Sequence, residues 1–319
     1  MRACRSRAQR KHWYNRRQVA DTVFIRKLLC ISLLTAIPAV VSPAAQDSGV
    51  IVFKSSVEQV AVAATVRDSR GRLVTNLKAS DFELIDQGQK RALTNVWSEP
   101  SAASVAILMD ASGSMATKMA RARETADTFV AGLKPGADEV ALYAFDTSLA
   151  EVRPFSTRFN PRDSAWTGTK AFGATSLWDA IAETAQKISH RQRRRALVVI
   201  TDGVDSASRM NPAEVSAIAS SLDVPVYVLV ITHFSDEGND EPQPIRGPLA
   251  DLAAWTGGDS LPVKDAPTVL TATRQVLSEL HHQYIVAFEP GTEPGWHALI
   301  LRARKPGLFV RARSGYMVK

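Results

Sequence analysis

The sequence predicts a doubly wound, mostly parallel α/β domain carried between two β-rich flanks, and three observations predict it. Four apolar runs of strand length, Val105–Met109, Val140–Phe145, Ala196–Ile200 and Val224–Ile231, alternate with stretches of helical periodicity. Runs without a polar side suit strands buried on both faces of a parallel sheet. On either side the pattern changes to short alternating segments rich in β-branched residues and punctuated by turn residues. Finally, the polar turns Asp110-Ala111-Ser112-Gly113-Ser114 and Thr201-Asp202-Gly203 follow the first and third apolar runs, where an open α/β sheet binds its ligands.

In chain order, residues 1–45 read as a signal peptide. Arg26-Lys27 precede the apolar stretch Leu28 to Val41, and Ser42-Pro43-Ala44 supplies small residues before a cleavage point at Ala45 or Gln46. The stretch is shorter than the ~20 residues a spanning helix needs, so no stable membrane span is expected in the mature protein; a retained anchor is the alternative. Arg16-Arg17 lacks the rest of a twin-arginine signal, and Cys30 lies inside the apolar run, not after it as in a lipoprotein. Export places the mature protein in the periplasm or outside the cell.

The leader also accounts for the basicity. Arg2, Arg5, Arg7, Arg10, Lys11, Arg16, Arg17, Arg26 and Lys27 face one acid, Asp21, so of the net +7 about −1 remains after residue 45. A nearly neutral folded part lacks the footprint of a nucleic-acid binder. Both cysteines, Cys4 and Cys30, are in the leader, which excludes disulfides, thiol chemistry and Cys-ligated zinc from the mature chain.

Residues 46–98 form the first β-rich segment. Four short strands are expected between Val50 and Trp97, including Val50–Phe53 and a run over 59–66, with turns at Asp68–Gly71 and Asp86–Gly88. The α/β domain spans 101–281, with helices expected near 116–133, 177–189, 212–222, 247–255 and 267–281; Asn211-Pro212 supplies an N-cap and a first-turn proline for the third. Ser235 to Pro244 is acidic and rich in Pro and Gly, a surface loop. In residues 283–319 three strands are expected, Tyr284–Phe288, His297–Ala303 and Leu308–Arg313. Neither flank can bury an apolar face alone, so 283–319 is expected to pair with 50–97 in one seven-stranded, immunoglobulin-type sandwich; two unrelated small sheets are the alternative.

The chemistry lies in the turns at the sheet edge. After a central strand, alternate side chains Asp110, Ser112 and Ser114 can converge on one point. Thr175, in Gly173-Ala174-Thr175-Ser176 before a helix, and Asp202 at a strand tip end at the same edge. A carboxylate pair with hydroxyls is a hard oxygen donor set, suited to Mg²⁺ or a similar cation. The alternative is that Asp110, Ser112 and Thr175 only cap helices and turns. Asp146 and Asp205 sit in loops where Asp commonly stabilises a turn, and they are not counted as ligands.

These residues resemble the metal-ion-dependent adhesion site of von Willebrand factor type A domains, whose pattern is Asp-x-Ser-x-Ser, a later Thr and a later Asp; all five match, and Gly173–Ile181 and Val199–Ser206 match in register. The flanks resemble a bacterial secreted subgroup of that family. The resemblance implies a Rossmann-like fold and a metal (Mg²⁺, or Mn²⁺ or Ca²⁺) contacted by Ser112, Ser114 and Thr175, with Asp110 and Asp202 acting directly or through water. It also implies a protein partner that offers an acidic residue as last ligand.

No metalloprotease, nucleophile-elbow or phosphate-loop motif occurs, and no enzyme is expected. The expected function is a metal-dependent protein-binding module. The alternative is a structural component of an envelope assembly whose metal only stabilises loops. The His281-His282 pair at a helix end and the basic run Arg191 to Arg195 are expected to serve the helix dipole and a solvated turn. Trp166 and Trp178 flank the Thr175 loop, either lining a partner's groove or packing beneath it.

Overall fold

The computed structural model describes residues 59–232 and 245–318. The expected leader, the strand Val50–Phe53 and the loop Ser235–Pro244 lie outside the described residues. Four strands come first: β1 (Val60–Asp68), β2 (Phe82–Asp86), β3 (Gln89–Arg91) and β4 (Leu93–Trp97). The α/β domain begins with β5 (Ala103–Asp110), α1 (Met119–Gly132), β6 (Glu139–Phe145), β7 (Leu149–Ser156) and α2 (Leu177–Ser189). It continues through β8 (Arg194–Thr201), α3 (Pro212–Ser221), β9 (Val226–Ile231), α4 (Pro248–Thr256), β10 (Ser260–Val263) and α5 (Ala266–His281). The last strands are β11 (Tyr284–Phe288), β12 (Gly295–Ala303), β13 (Leu308–Ala312) and β14 (Gly315–Val318).

The central sheet has the order β10-β9-β8-β5-β6-β7. It is parallel except for the edge strand β7, which runs antiparallel to β6. Strand periodicity explains why the runs Val105–Met109, Val140–Phe145 and Ala196–Ile200 within its middle strands are apolar on both faces. Val105, Ile107 and Met109 of β5 pack with Ala122 and Phe129 of α1 and Leu280 of α5. Ala106 and Leu108 point to the other face, among Ile181, Ala185, Val215 and Leu252 from α2, α3 and α4. A polar side chain on either face would be buried without a partner, at a cost of about 1–3 kcal/mol.

The flanks form two antiparallel sheets, β13-β1-β11-β4 and β14-β12-β2-β3, and each takes two strands from either end of the chain. Their facing sides carry Val62, Val66, Phe82, Leu84, Tyr284, Val286, Phe288, Leu299 and Tyr316. Phe82 meets Tyr284 edge to face at 5.2 Å, and the Tyr284 hydroxyl donates to the Val74 carbonyl at 3.0 Å. The strand count corrects the sequence reading: four strands follow α5, not three. Leu308–Arg313 does not run on as one strand; β13 ends at Ala312, the chain crosses between sheets at Arg313-Ser314, and β14 joins the second sheet. Buried Arg313 ties the crossing to the Ala61 carbonyl at 3.0 Å.

The sandwich meets the α/β domain at α5 and Asp259, and at the ends of α3 and α4, where Arg313 pairs with Asp223 and the Ser314 amide donates to the Trp255 carbonyl at 2.8 Å. Arg67 of β1 donates to Glu279 Oε1 at 2.9 Å, and Arg311 of β13 pairs with the other oxygen of that buried carboxylate and with Asp259.

Inside the sandwich, His297 Nδ1 lies 2.9 Å from Asp86 and its Nε2 2.7 Å from the Glu293 carbonyl. Both nitrogens face acceptors, which the imidazolium satisfies. The Glu293 carbonyl and then Asp86 raise the His297 pKa above its ordinary 6.5. Burial pushes Asp86 up, but His297, the Gly291 amide and Tyr316 outweigh it and hold the carboxyl below 3.8. The histidine's contribution is therefore complete below its ordinary pKa and fades as pH rises through the raised value; that of Asp86 fades only on strong acidification. His297→Gln should lower the urea midpoint at about pH 6, and the gap to wild type should narrow by about pH 9. A gap constant across that range would show that the pair does not titrate in this window.

Candidate metal centre

In the sheet, β5 lies between β8 and β6. The connections leave β5 in one direction and return on its other side, so the β5–β8 boundary is the topological switch point, where the carboxyl ends of two strands open a crevice. Met109 of β5 is in register with Ile200 of β8, which brings the following residues, Asp110 and Thr201, together at the tip. The Thr201 hydroxyl donates to Asp110 Oδ2 at 2.7 Å and the Ser112 amide to Asp110 Oδ1 at 2.9 Å. Beyond them the chain makes a 3₁₀ turn over Gly113–Met115 before α1, and the Ser112 and Ser114 hydroxyls stand 3.1 Å apart. Ser114 also stands near enough to the Asp202 carboxylate to lower its pKa. Asp110 and Ser112 are fully buried, whereas Ser114 is exposed.

Asp110, Ser112 and Ser114 are thus linked by hydrogen bonds, and Asp202 neighbours Asp110 and Ser114 closely enough to influence the one and be influenced by the other. The fifth, Thr175, arrives through its backbone. The Gly113 amide donates to the Gly173 carbonyl at 2.9 Å and the Phe172 amide to the Ala111 carbonyl at 2.8 Å, laying the Thr175 loop along the serine loop. Gly173 has φ +79°, and a Cβ on Gly113 would sit 3.2 Å from the Gly173 carbonyl; the approach therefore favours glycine on both chains.

The two carboxylates differ electrically. Burial raises the Asp110 pKa, outweighing the Thr201 and Ser112 hydrogen bonds, and neighbouring Asp202 raises it further. Burial also pushes Asp202 up, but Lys118, the Val204 amide and Ser114 bring it below 3.8. Lys118 Nζ lies 2.7 Å from Asp202 Oδ2.

Lys118 and Thr201 escaped the sequence reading, and so did a set of buttresses. Asp205 accepts from the Leu177 amide at 2.9 Å and Ser208 Oγ from the Trp178 amide at 2.9 Å. The N-terminus of α2 is therefore capped from the β8–α3 loop, since Ser176 makes no side-chain cap. Ser206 Oγ accepts from the Thr175 amide at 3.0 Å. Asp146 accepts from the Ser148 amide at 3.0 Å within its own turn.

Trp166 and Trp178 are both buried, in the cores on opposite faces of the sheet, so they pack inside the domain and do not line an open groove. His281 pairs with Asp138 at 3.1 Å, and His282 Nδ1 contacts the Ser278 carbonyl at 2.9 Å. The basic run is no merely solvated turn: Arg191 pairs with Glu139, Arg195 with Asp223, and Arg194 donates to the Glu99 carbonyl.

Among the described residues no three His, Cys, Asp or Glu side chains converge on one cation position. The donors at the switch point are instead two carboxylates and hydroxyls. A buried carboxylate held only by a hydroxyl and an amide, with a second acid and two hydroxyls beside it, fits a hard divalent cation and does not fit zinc, which prefers nitrogen and sulfur.

A doubly wound α/β domain with oxygen donors gathered at its switch point is a ligand-binding domain by architecture. Residues 105–204, which contain all five candidate ligands, match the family model of the von Willebrand factor type A domain. No curated protein matches the sequence. Among solved structures the chain is similar to BatB from Bacteroides thetaiotaomicron, at 19% identity over 56% of this chain and 98% of that one, with a TM-score of 0.41. It is also similar to a von Willebrand factor type A protein from Catenulispora acidiphila, at 15% identity over 83% and 76% of the two chains, with a TM-score of 0.46. The PilB minor pilin from Streptococcus sanguinis is similar at 16% identity over 57% and 61%, with a TM-score of 0.37.

Proposed function

We propose that the chain is a metal-dependent protein-binding module of an exported bacterial protein. The observation that carries this reading is the meeting of Asp110, Ser112, Ser114 and Asp202 at the β5–β8 switch point, with the Thr175 loop bonded alongside. Asp110, Ser112, Ser114, Thr175 and Asp202 would hold Mg²⁺, or Mn²⁺ or Ca²⁺. When bound, the cation supplies an electrophilic position for an acidic side chain of a protein partner. Ser114, exposed at the rim, marks the side from which that partner approaches.

Binding, not catalysis, suits these groups. Both Asp110 oxygens accept hydrogen bonds and Asp202 is paired with Lys118, so neither carboxylate is free to act as general base. Export rests on residues 1–45, whose basic and apolar segments have the order of a signal peptide. Among the described residues no helix is long and apolar enough to cross a membrane.

The test is capture of partners from a periplasmic extract on immobilised protein. Chelator should release the captured protein and Mg²⁺ restore it. Capture that survives chelator would remove the metal from recognition and leave a structural role in an envelope assembly.

A further inference from the structure

Lys118 is not an ordinary surface lysine. Its side chain is 16% exposed and that of Asp202 2%, with Nζ 2.7 Å from Oδ2. Its backbone is fixed as well: the Lys118 amide donates to the Met115 carbonyl at 2.8 Å, and its carbonyl accepts from the Ala122 amide at 2.9 Å. A pair so far out of water is screened weakly by salt and solvent. Asp110, by contrast, is held by a hydroxyl and an amide, and among the described residues no salt bridge reaches it.

We propose that Lys118 determines what the centre accepts: its ammonium counter-charges Asp202 in the metal-free protein and makes the loaded centre cationic, and so selective for an anionic partner group. The inference rests on the metal reading above. Asp110, Asp202 and Lys118 together carry a formal charge of −1. A divalent cation takes this to +1, and one partner carboxylate then brings it to zero. Without the Lys118 charge, the loaded centre would already be neutral and a carboxylate would leave it negative. Lys118 thus opposes the metal and favours the partner, because like and unlike charges at this separation differ strongly where water is scarce. It also has somewhere to move, since it borders an open cleft with Thr117, Arg121 and Thr232.

The test compares wild type, Lys118→Met and Lys118→Arg, with Lys118→Gln repeating the neutral variant should methionine fail to fold. Mn²⁺ alone is titrated calorimetrically, acetate is then titrated into the Mn²⁺-loaded proteins, and melting is followed in chelator and in Mn²⁺. Lys118→Met should bind Mn²⁺ about tenfold more tightly and bind acetate several-fold more weakly, while Lys118→Arg stays near wild type. Its melting temperature should fall in chelator and recover in Mn²⁺, since the metal replaces the missing counter-charge. Equal or weaker Mn²⁺ binding by Lys118→Met, or a melting deficit that Mn²⁺ leaves unchanged, would reduce Lys118 to a structural lysine and overturn the proposal while the metal reading stands. Absence of Mn²⁺ binding in wild type itself would overturn the metal reading, and this proposal with it.

Discussion

Asp110→Ala is expected to lose measurable binding of Mg²⁺ and Mn²⁺ while the protein stays folded. Asp110 is the fully buried carboxylate of the centre, and among the described residues no basic side chain pairs with it. Removing it takes away a full negative charge beside the cation, and no neighbour can supply that charge from the same place. Removing even a group that only orients a ligand costs roughly 10–100-fold in metal affinity, so a charged ligand should cost more. Ser112→Ala removes one neutral hydroxyl that water can replace, and about tenfold is expected. The folded state loses little: the Thr201 hydroxyl and Ser112 amide lose their acceptor, about 1–3 kcal/mol, but an uncompensated buried charge also disappears. Asp110→Asn keeps a polar group of the same shape without the charge, and should match alanine in metal binding and wild type in melting. Calorimetric titration with circular dichroism on each variant decides it. Equal metal binding by wild type and Asp110→Ala would sink the adhesion-site reading.

The centre was partly legible in the sequence because three of its residues, Asp110, Ser112 and Ser114, are spaced along one turn, and Asp202 ends an apolar run that had to be a strand. What joins them is not local. Thr201 meets Asp110 through strand register, and Lys118 reaches Asp202 across 84 positions of sequence. Asp205 caps α2 from another loop. A threonine, a lysine and an aspartate in those positions carry no pattern that distinguishes them from solvated residues, since their partners exist only once the sheet order is set.

The fold was legible for the same reason that its core is dry. Strands β5, β6 and β9 are buried throughout and β8 is buried from Ala196 onward, so each announced itself as an apolar run. The edge strands β7 and β10 did not. Most of β7 is partly exposed and it contains Pro154, while β10 has four residues including Pro262. An edge strand needs only one bonded side and tolerates proline and charge, which erases the signal used to find it. The short β14 was missed because only two residues, Arg313 and Ser314, separate it from β13, too few for a sequence pattern to show a change of sheet.

Deleting residues 283–319 is expected to unfold the first flank and spare most of the α/β domain. Strand β1 lies between β13 and β11 and would lose both neighbours; β2 would lose β12 and keep only the three-residue β3. The facing core would lose Tyr284, Val286, Phe288, Leu299, Leu301 and Tyr316, leaving Val62, Ala64, Val66, Phe82 and Leu84 with only the half-buried Val60, Val74, Leu77, Leu93 and Val96. Each large side chain so exposed forfeits about 1.5–3 kcal/mol, and a lone hairpin is at best marginally stable in water. The sheet clusters on either side of β5 contain no residue from 283–319. They would be touched at their margins: Glu279 of α5 would lose Arg311 at once and Arg67 when β1 frays, Asp259 would lose Arg311, and Asp223 and the Trp255 carbonyl would lose Arg313 and Ser314. Hydrogen exchange on the monomeric truncated protein should show protection over Val60–Val66 reduced by a factor on the order of 10³ or more, with Ile107, Val198 and Val228 still slow. Unchanged protection over Val60–Val66 would mean that the first flank stands without the strands that enclose it.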